Sequence, residues 1–465
     1  MDDPSRWIAK RGADHSPRGA SSFRRLKSLA GRFTAEYGMI FVLLLLCALF
    51  SILTVSDQSP DGGTGAAQVA EEIEAQLGKS PRVLIVAGDL PDDAGFVPAL
   101  VRQLKASGAQ VLGEAQGKPQ NAREALQKIA ASGVKLDAIA CTLSSGTWLV
   151  VTDAAKDFPQ IGEPRIVTPR TYRWPTFLNV ANLLNIANQI AIIAIIAIGM
   201  TMVIITGGID LSVGSLIALS AVLTARFIRD FAGGVEATAA GMILASLAAI
   251  LACGSLGAFS GFMITRFRLP PFIVTLAIMF VASGLAFKLA GGQTINQIPD
   301  SFIWLGRGAD FFSLPNAVVL MFILYVLGHA MMSRMTMGRY LYAVGGNSEA
   351  SRLSGIPVKR VLMFAYIASA LLAGLGGVLM ASLFTSGSGT FGEMYELYVI
   401  AAVVVGGTSL SGGKGKMFGT LIGAFTIAVI QNGMNLKNVD PFAKKIVLGM
   451  VLLAAVLLDK IRRAR

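Results

Sequence analysis

The sequence predicts an α-helical polytopic membrane protein with about ten transmembrane helices and an inserted extracytoplasmic α/β lobe of βαβαβ order. Three observations predict it. Of 465 residues, 54% are hydrophobic and only 15% charged, where a soluble domain carries about 25% charged residues. The apolar residues fall in blocks, most of them long enough for the roughly 20-residue helix that crosses a bilayer. One polar stretch, residues 56–175, instead alternates short β-type runs with amphipathic helical ones. Disorder, a collagen-like fibre and a disulfide scaffold are excluded by the apolar content, the lack of a Gly period and the presence of only three cysteines. Cys47 and Cys253 lie in long apolar runs and Cys141 in a short strand-like one, so no disulfide is expected.

Residues 1–36 are polar and basic (Arg6, Lys10, Arg11, Arg18, Arg24, Arg25, Lys27, Arg32) and read as a mostly disordered cytoplasmic tail. Residues 37–55 are nearly uninterrupted apolar sequence. A cleavable signal would have a shorter basic region and a small-residue cleavage site, so this block reads as an uncleaved first transmembrane helix.

Residues 56–175 then read as a linker and the lobe. Ser59, Pro60, Gly62, Gly63 and Gly65 mark the linker. A strand is expected at 83–86. A helix follows at 94–107, with Phe96, Leu100 and Leu104 on one face and Gly108 as its stop. A second strand is expected at 110–113. Asn121 can cap the next helix, with Glu124 at the capping-box position and Leu126 and Ile129 as its buried stripe. A third strand is expected at 136–141, with 148–151 and 165–167 as further strands. Strands alternating with helices imply a small parallel sheet. A ligand would sit at the carboxyl end of the first strand, where Asp89, Asp92 and Asp93 either bind hydroxyl groups or are solvated turn and helix-start residues.

Residues 176–458 hold nine more apolar blocks, at 188–206, 213–226, 237–263, 272–290, 316–332, 361–384, 397–405, 417–434 and 443–458. Those at 213–226 and 397–405 are short and lie beside Gly-rich breaks, as segments near a transport route tend to. Residues 459–465 form a basic C-terminus. With both termini cytoplasmic, the inner segments hold 21 Lys and Arg against 6 acids, and the rest of the chain 19 against 22. The net charge of +12 thus follows the positive-inside rule and needs no nucleic acid.

Three motifs stand out. In residues 199–219 (GMTMVIITGGIDLSVGSLIAL), Gly207 and Gly208 interrupt an apolar run ahead of Asp210 and Ser212. An acid near membrane depth is costly unless paired or capping, so Asp210 either caps the next helix or acts in gating and solute movement. In residues 338–357 (GRYLYAVGGNSEASRLSGIP), Asn347 or Ser348 can cap a short helix running through Leu353, which Gly355 and Pro357 stop. It is either a docking element for a cytoplasmic partner or an ordinary loop. In residues 405–419 (VGGTSLSGGKGKMFG), Gly406 and Gly407 echo the first motif as Gly-Gly-x-x-Leu-Ser-x-Gly. Neither Lys414 nor Lys416 meets the spacing of a P-loop, so the chain itself is not expected to hydrolyse ATP.

Enzyme constellations are otherwise missing. His15 and His329 are far apart, metal-ligand spacings are absent, and no cofactor is expected. Few acids lie within the spans, which weakens a proton- or sodium-coupled carrier. Asn185, Asn188 and Gln189 open the second span, and Phe391, Glu393 and Tyr395 precede the eighth. They are either interface anchors and caps or parts of a solute path, for which Gln189 and Tyr395 are the candidates.

At these motifs the chain resembles the membrane permease subunit of bacterial ATP-binding-cassette (ABC) sugar importers of the ribose, xylose and galactose type. The resemblance runs from about residue 177 to 458 and rests on GGIDLSVGS, GRYLYAVGGNSEASRLSGI and IAAVVVGGTSLSGGKG, in that order, with PPFIVTL at 270–276 as a fourth motif. It implies a pore subunit in the bacterial inner membrane that pairs with a second permease subunit, a homodimer or heterodimer. A periplasmic sugar-binding protein would deliver a monosaccharide to it, and cytoplasmic ATPases would drive it. Asn347, Ser348, Glu349, Ala350, Arg352, Leu353 and Gly355 would form the helix that couples it to the ATPase, and Gly207, Gly208, Asp210, Ser212, Gly406 and Gly407 would be gating or structural elements. The lobe resembles the N-terminal half of periplasmic sugar-binding proteins over about 82–145. The chain departs from the family at Ser283-Gly284, where Arg-Gly is usual, and at Leu397-Tyr398-Val399, where Leu-Asp-Ala is usual. Alternatives are the same machinery for a nucleoside or another small polar solute, a receptor sensing through the lobe, and a secondary carrier.

Overall fold

The computed structural model describes residues 38–463 except 61, 79, 91, 92 and 94. The basic tail and Asp92 therefore lie outside the described residues. The chain divides into two compact units, residues 53–178 and residues 179–465 together with the segment before residue 53.

The smaller unit begins with β1 (Val55–Gln58), paired antiparallel with β6 (Tyr172–Pro175) so that Gln58 faces Tyr172. Between them run α2 (Gly62–Leu77), β2 (Arg82–Ala87), α3 (Phe96–Ala106), β3 (Gln110–Gln116), α4 (Pro119–Ser132) and β4 (Ala138–Cys141). Two single turns, α5 (Leu149–Thr152) and α6 (Ala154–Asp157), and β5 (Arg165–Val167) follow. The sheet is parallel in the order β3-β2-β4-β5. Its central strand β2 is buried on both faces. Val83, Ile85 and Ala87 pack against α2 and α3, while Leu84 and Val86 pack against Leu126 and Ile129 of α4. Gly108 takes the left-handed turn that stops α3, with φ of 84°.

Three local expectations are corrected. Residues 62–65 are helical, not linker, because Ala66, Val69 and Ile73 give α2 a buried stripe and Gly62 and Gly65 continue it. Asn121 does not cap α4. The helix starts at Pro119, whose fixed φ suits a first turn, and the Asn121 amide donates to Gln116 O at 2.6 Å. The segment at 148–151 is a helical turn rather than a strand, burying only Val151.

The larger unit is helical: α1 (Gly38–Leu53), α7 (Val180–Ile205), α8 (Val213–Phe231), α9 (Ala239–Phe267) and α10 (Pro271–Ala290), then the single turn α11 (Trp304–Arg307). It continues with α12 (Asn316–Arg334), α13 (Thr336–Gly346), α14 (Ser348–Leu353), α15 (Val358–Phe384), α16 (Tyr395–Val405), α17 (Met417–Leu436) and α18 (Pro441–Arg463). Among the described residues, six helices are long and apolar enough to cross a membrane: α7, α9, α10, α12, α15 and α17. α1 and α16 are shorter apolar helices. The apolar window of α7 is 89% buried and that of α10 only 28%, so α7 is the axis of the bundle and α10 lies at its periphery. Close approach is set by small residues. Gly257 on α9 has no room for a methyl group, which would come within 2.4 Å of Ala370 Cβ on α15.

Candidate functional site

At the C-terminal ends of α7 and α16 the chain makes the same turn twice. Gly207 has φ of 80° and Gly407 φ of 88°. Gly207 N donates to Ile204 O at 2.9 Å and Gly208 N to Val203 O at 3.1 Å, while Gly407 N and Thr408 N donate to Val404 O and Val403 O at the same two distances. The echo between the first and third motifs is thus a repeated helix stop that needs a left-handed residue. After the first stop Asp210 turns inward and is 2% exposed. Its Oδ1 accepts from Ser212 N at 3.0 Å and Ser212 Oγ at 2.6 Å, and Oδ2 accepts from Ser369 Oγ of α15 at 2.8 Å. Asp210 therefore shapes the turn into α8 and ties it to α15, while Ser212 takes the cap position. One helical turn before Ser369, the buried Tyr366 hydroxyl has no hydrogen-bond partner among the described residues and stands over Gly208, where a Cβ would meet it at 2.2 Å.

The middle motif closes on the other two. Gly413 N donates to Ile205 O at 2.8 Å, and Tyr342 Oη of α13 donates to Gly415 O at 2.8 Å. A Cβ on Gly345 would lie 1.7 Å from Ile205 O, and one on Gly412 would lie 2.8 Å from Gly345 O. Backbone from all three motifs therefore meets in one node, which only glycine permits. α13, which lies outside the helices expected from the sequence, buries Gly338, Leu341 and Val344 and delivers its last residues to this node.

α14 follows directly. Asn347 Oδ1 accepts from Ala350 N at 2.9 Å, and Gly355, with φ of 80°, turns the chain out. Ser351 is buried beneath the helix, while Ser348, Glu349, Arg352 and Leu353 are exposed, Leu353 by 75%. The Arg352 guanidinium lies 2.5 Å from the Glu349 carboxylate and holds its carboxyl below the usual range. This short capped helix thus presents an apolar tip beside an ion pair on its exposed face.

A second set of candidates gathers around the start of α16. Eleven residues rise about 16 Å, roughly half of a bilayer's hydrocarbon thickness. The preceding residues 386–394 are not helical and run along α8. A Cβ on Gly387 would lie 2.7 Å from Ala221 O, and one on Gly392 2.4 Å from Gly214 O. Irregular backbone at such depth is tolerated where it is buried in protein or lines a water-filled cavity. Two spaces of about 310 Å3 flank this helix start. One is lined by Asn185, Asn188, Gln189, Arg307, Tyr395 and Gln431 among others. The other holds Ser215, Ser283, Phe287, Phe391, Glu393 and Glu396.

Gln189 and Tyr395, distant in sequence, thus share one cavity, with Asn185 and Asn188 beside them. Phe391 and Glu393 line the opposite cleft together with Ser283. Tyr398 faces a third cavity of about 240 Å3 with Gln431 and Lys444. Gln431 and Arg307 were missed in the sequence. The amides of Gln431, Asn432 and Asn435 near the end of the otherwise apolar α17 were the available signal for Gln431; Arg307 ends the single turn α11, which carries none. In the smaller unit, Asp93 is buried and accepts from Ser144 Oγ at 2.7 Å, whereas Asp89 is exposed.

A family model described as branched-chain amino acid transport system / permease component matches residues 182–456. The chain is 41% identical over 290 residues to the ribose import permease protein RbsC of Escherichia coli K12, covering 61% of this chain and 87% of that protein. It is 42% identical over 292 residues to RbsC of Bacillus subtilis, covering 62% and 88%. It is 35% identical over 289 residues to the L-arabinose transport system permease protein AraH of E. coli K12, covering 62% and 85%. No solved structure gives a significant match.

Proposed function

The chain belongs to the branched-chain amino acid transport system / permease component family, and from that premise we propose that it is the pore subunit of an ATP-driven monosaccharide importer. The observation that carries the reading is the similarity to ribose and arabinose permeases over nearly the whole of their length. The chain is the non-enzymatic subunit, and ATP hydrolysis belongs to a cytoplasmic partner. That ATPase docks on residues 347–355, whose Glu349, Arg352 and Leu353 are presented outward. The node directly behind α14 supports the assignment, because it joins the docking helix to the end of α7 and the start of α17 through close backbone contacts and the Tyr342 hydroxyl. Gly207, Gly208, Asp210, Ser212, Gly406 and Gly407 hold the two inner helix stops on which that transmission depends.

In the membrane the ten spans are α1, α7, α8, α9, α10, α12, α15, α16, α17 and α18, with both termini cytoplasmic as the basic residues require. The unit of residues 53–178 then lies outside, ahead of the 182–456 segment matched by the family, and it replaces, docks or assists a separate periplasmic sugar-binding protein. A second permease subunit completes the pore. Solute passes the start of α16, where Gln189 and Tyr395 meet.

The test is a pull-down from native membranes comparing wild type with Glu349→Arg. Recovery of an importer-type ATPase, weakened by the reversal, is the expected result. Absence of any ATPase from intact complexes would remove the energy source and with it the reading. For the outer unit, deletion of residues 59–169 is expected to impair uptake or receptor binding, and full retention of both refutes its role.

A further inference from the structure

The cavity beside Tyr395 is chemically one-sided. Its polar lining consists of the amides of Asn185, Asn188, Gln189 and Gln431, the guanidinium of Arg307 and Tyr395, and no carboxylate lines it. Asn188 Nδ2 already donates to Gly306 O at 3.1 Å. The Gln189 amide and the Arg307 guanidinium have no protein partner among the described residues. Two polar groups thus face this space with donors and acceptors unspent.

That inventory selects a solute. An amide both donates and accepts, as a sugar hydroxyl does, and a guanidinium offers five N–H donors in a fixed fork. The rings of Tyr395 and Phe384 supply flat apolar walls for the C–H faces of a sugar ring. A volume of about 310 Å3 stands at the low end of the ~300–1,000 Å3 of ligand pockets, which suits one ring rather than a disaccharide. An amino acid zwitterion would find Arg307 for its carboxylate but no carboxylate to pair with its ammonium, only amide and hydroxyl oxygens.

We propose that this cavity is the permease's own solute site, taking a single neutral polyhydroxylated ring, and that Gln431 and Arg307 supply hydrogen bonds that hold it. The proposal rests on the sugar-importer reading above and adds the site and the groups that bind there. Solute released on the outer side enters between the start of α7 and the end of α17, and Tyr395, on the first turn of α16, forms the wall between this cavity and the one facing Lys444.

The experiment is uptake of radiolabelled ribose and arabinose by cells carrying the full chain with its native partners. Arg307→Gln and Gln431→Ala are each expected to raise KM about tenfold, the loss of one or two hydrogen bonds to a neutral solute, with the maximal rate kept within about twofold. Arg307→Lys restores part of the loss, and leucine in excess competes with neither sugar. If a variant fails to reach the membrane, Gln189→Cys in a Cys47→Ser background provides a second reading. A membrane-impermeant thiol reagent is expected to label it, and the transported sugar is expected to slow that labelling severalfold. Unchanged KM in both variants, or labelling that no transported sugar slows, overturns the cavity assignment while leaving the importer reading intact. A wild type that imports neither sugar overturns the importer reading, and the cavity assignment with it.

Discussion

Gly208 and Tyr366 form a pair in which each residue explains the other. The tyrosine hydroxyl is buried without a partner among the described residues, an arrangement that costs about 1–3 kcal/mol. Gly208→Ala forces a methyl group to 2.2 Å from that oxygen and is expected to lower stability by about 1–3 kcal/mol, the range for overpacking. Tyr366→Phe removes the oxygen, so the double variant should recover much of the loss, as thermal unfolding of the purified protein in detergent would show. Gly345→Ala is a different case. Its methyl group would strike the Ile205 carbonyl, which is backbone and cannot move aside without shifting the end of α7. Uptake is expected to fall with the protein still present in the membrane, while ATP hydrolysis by the complex persists. An unaltered ratio of uptake to hydrolysis would show that the node transmits nothing. The sequence made the glycines of this node visible as motifs but not their meeting, because contacts between three peptide backbones leave no side-chain pattern to read.

Among the elements, α14 is tuned at both ends. Removing its cap by Asn347→Ala should fray the helix at a cost of about 1 kcal/mol, detectable as faster amide exchange at residues 348–353 and weaker retention of the ATPase. In the smaller unit, the Asp137 carboxylate accepts from Arg82 N, Nε and Nη2 at 2.8 to 3.0 Å, joining the start of β2 to the start of β4. Hydrogen bonding from Arg82 holds the Asp137 carboxyl below its usual value. The stability it contributes is therefore present above the unfolded-state pKa and lost as pH falls through the lower folded-state value. Asp137→Asn should weaken protection of β2 amides at neutral pH and match wild type in strong acid. Sequence reading placed most membrane helices within a few residues, since an apolar run ends where water begins. It failed where composition and environment disagree. Glycines hid α2, a Leu-Val-Val run became the turn α5, and α13 escaped because only three of its eleven residues are buried.

Across the whole molecule, the two candidate regions are carried by the same helices. α7 carries Gln189 in its first half and is stopped by Gly207 just past its end, and α15 carries Ser369 bonded to Asp210 and Met380 lining the Tyr395 cavity. A rigid shift of α14 can therefore reach the Tyr395 cavity without any bending within a helix, provided α7 and α15 move as one. Gly199 on α7 lies where a Cβ would come 2.5 Å from Ser369 Cα, so the two are locked at their crossing. Gly199→Val is expected to pry them apart, reducing uptake more than expression. The cavity was only half legible beforehand: Gln189 and Tyr395 could be picked out at helix entrances, whereas Arg307 and Gln431 join them only through packing. The β1–β6 ribbon has a consequence of another kind. Because Gln58 and Tyr172 face each other across one antiparallel pair, the segment between them leaves and rejoins the chain only about 5 Å apart. Such a doorway makes the unit portable. Grafted between the first two spans of a related permease that lacks it, it should fold with its own register, and a domain of any shape whose ends lie close together could take its place.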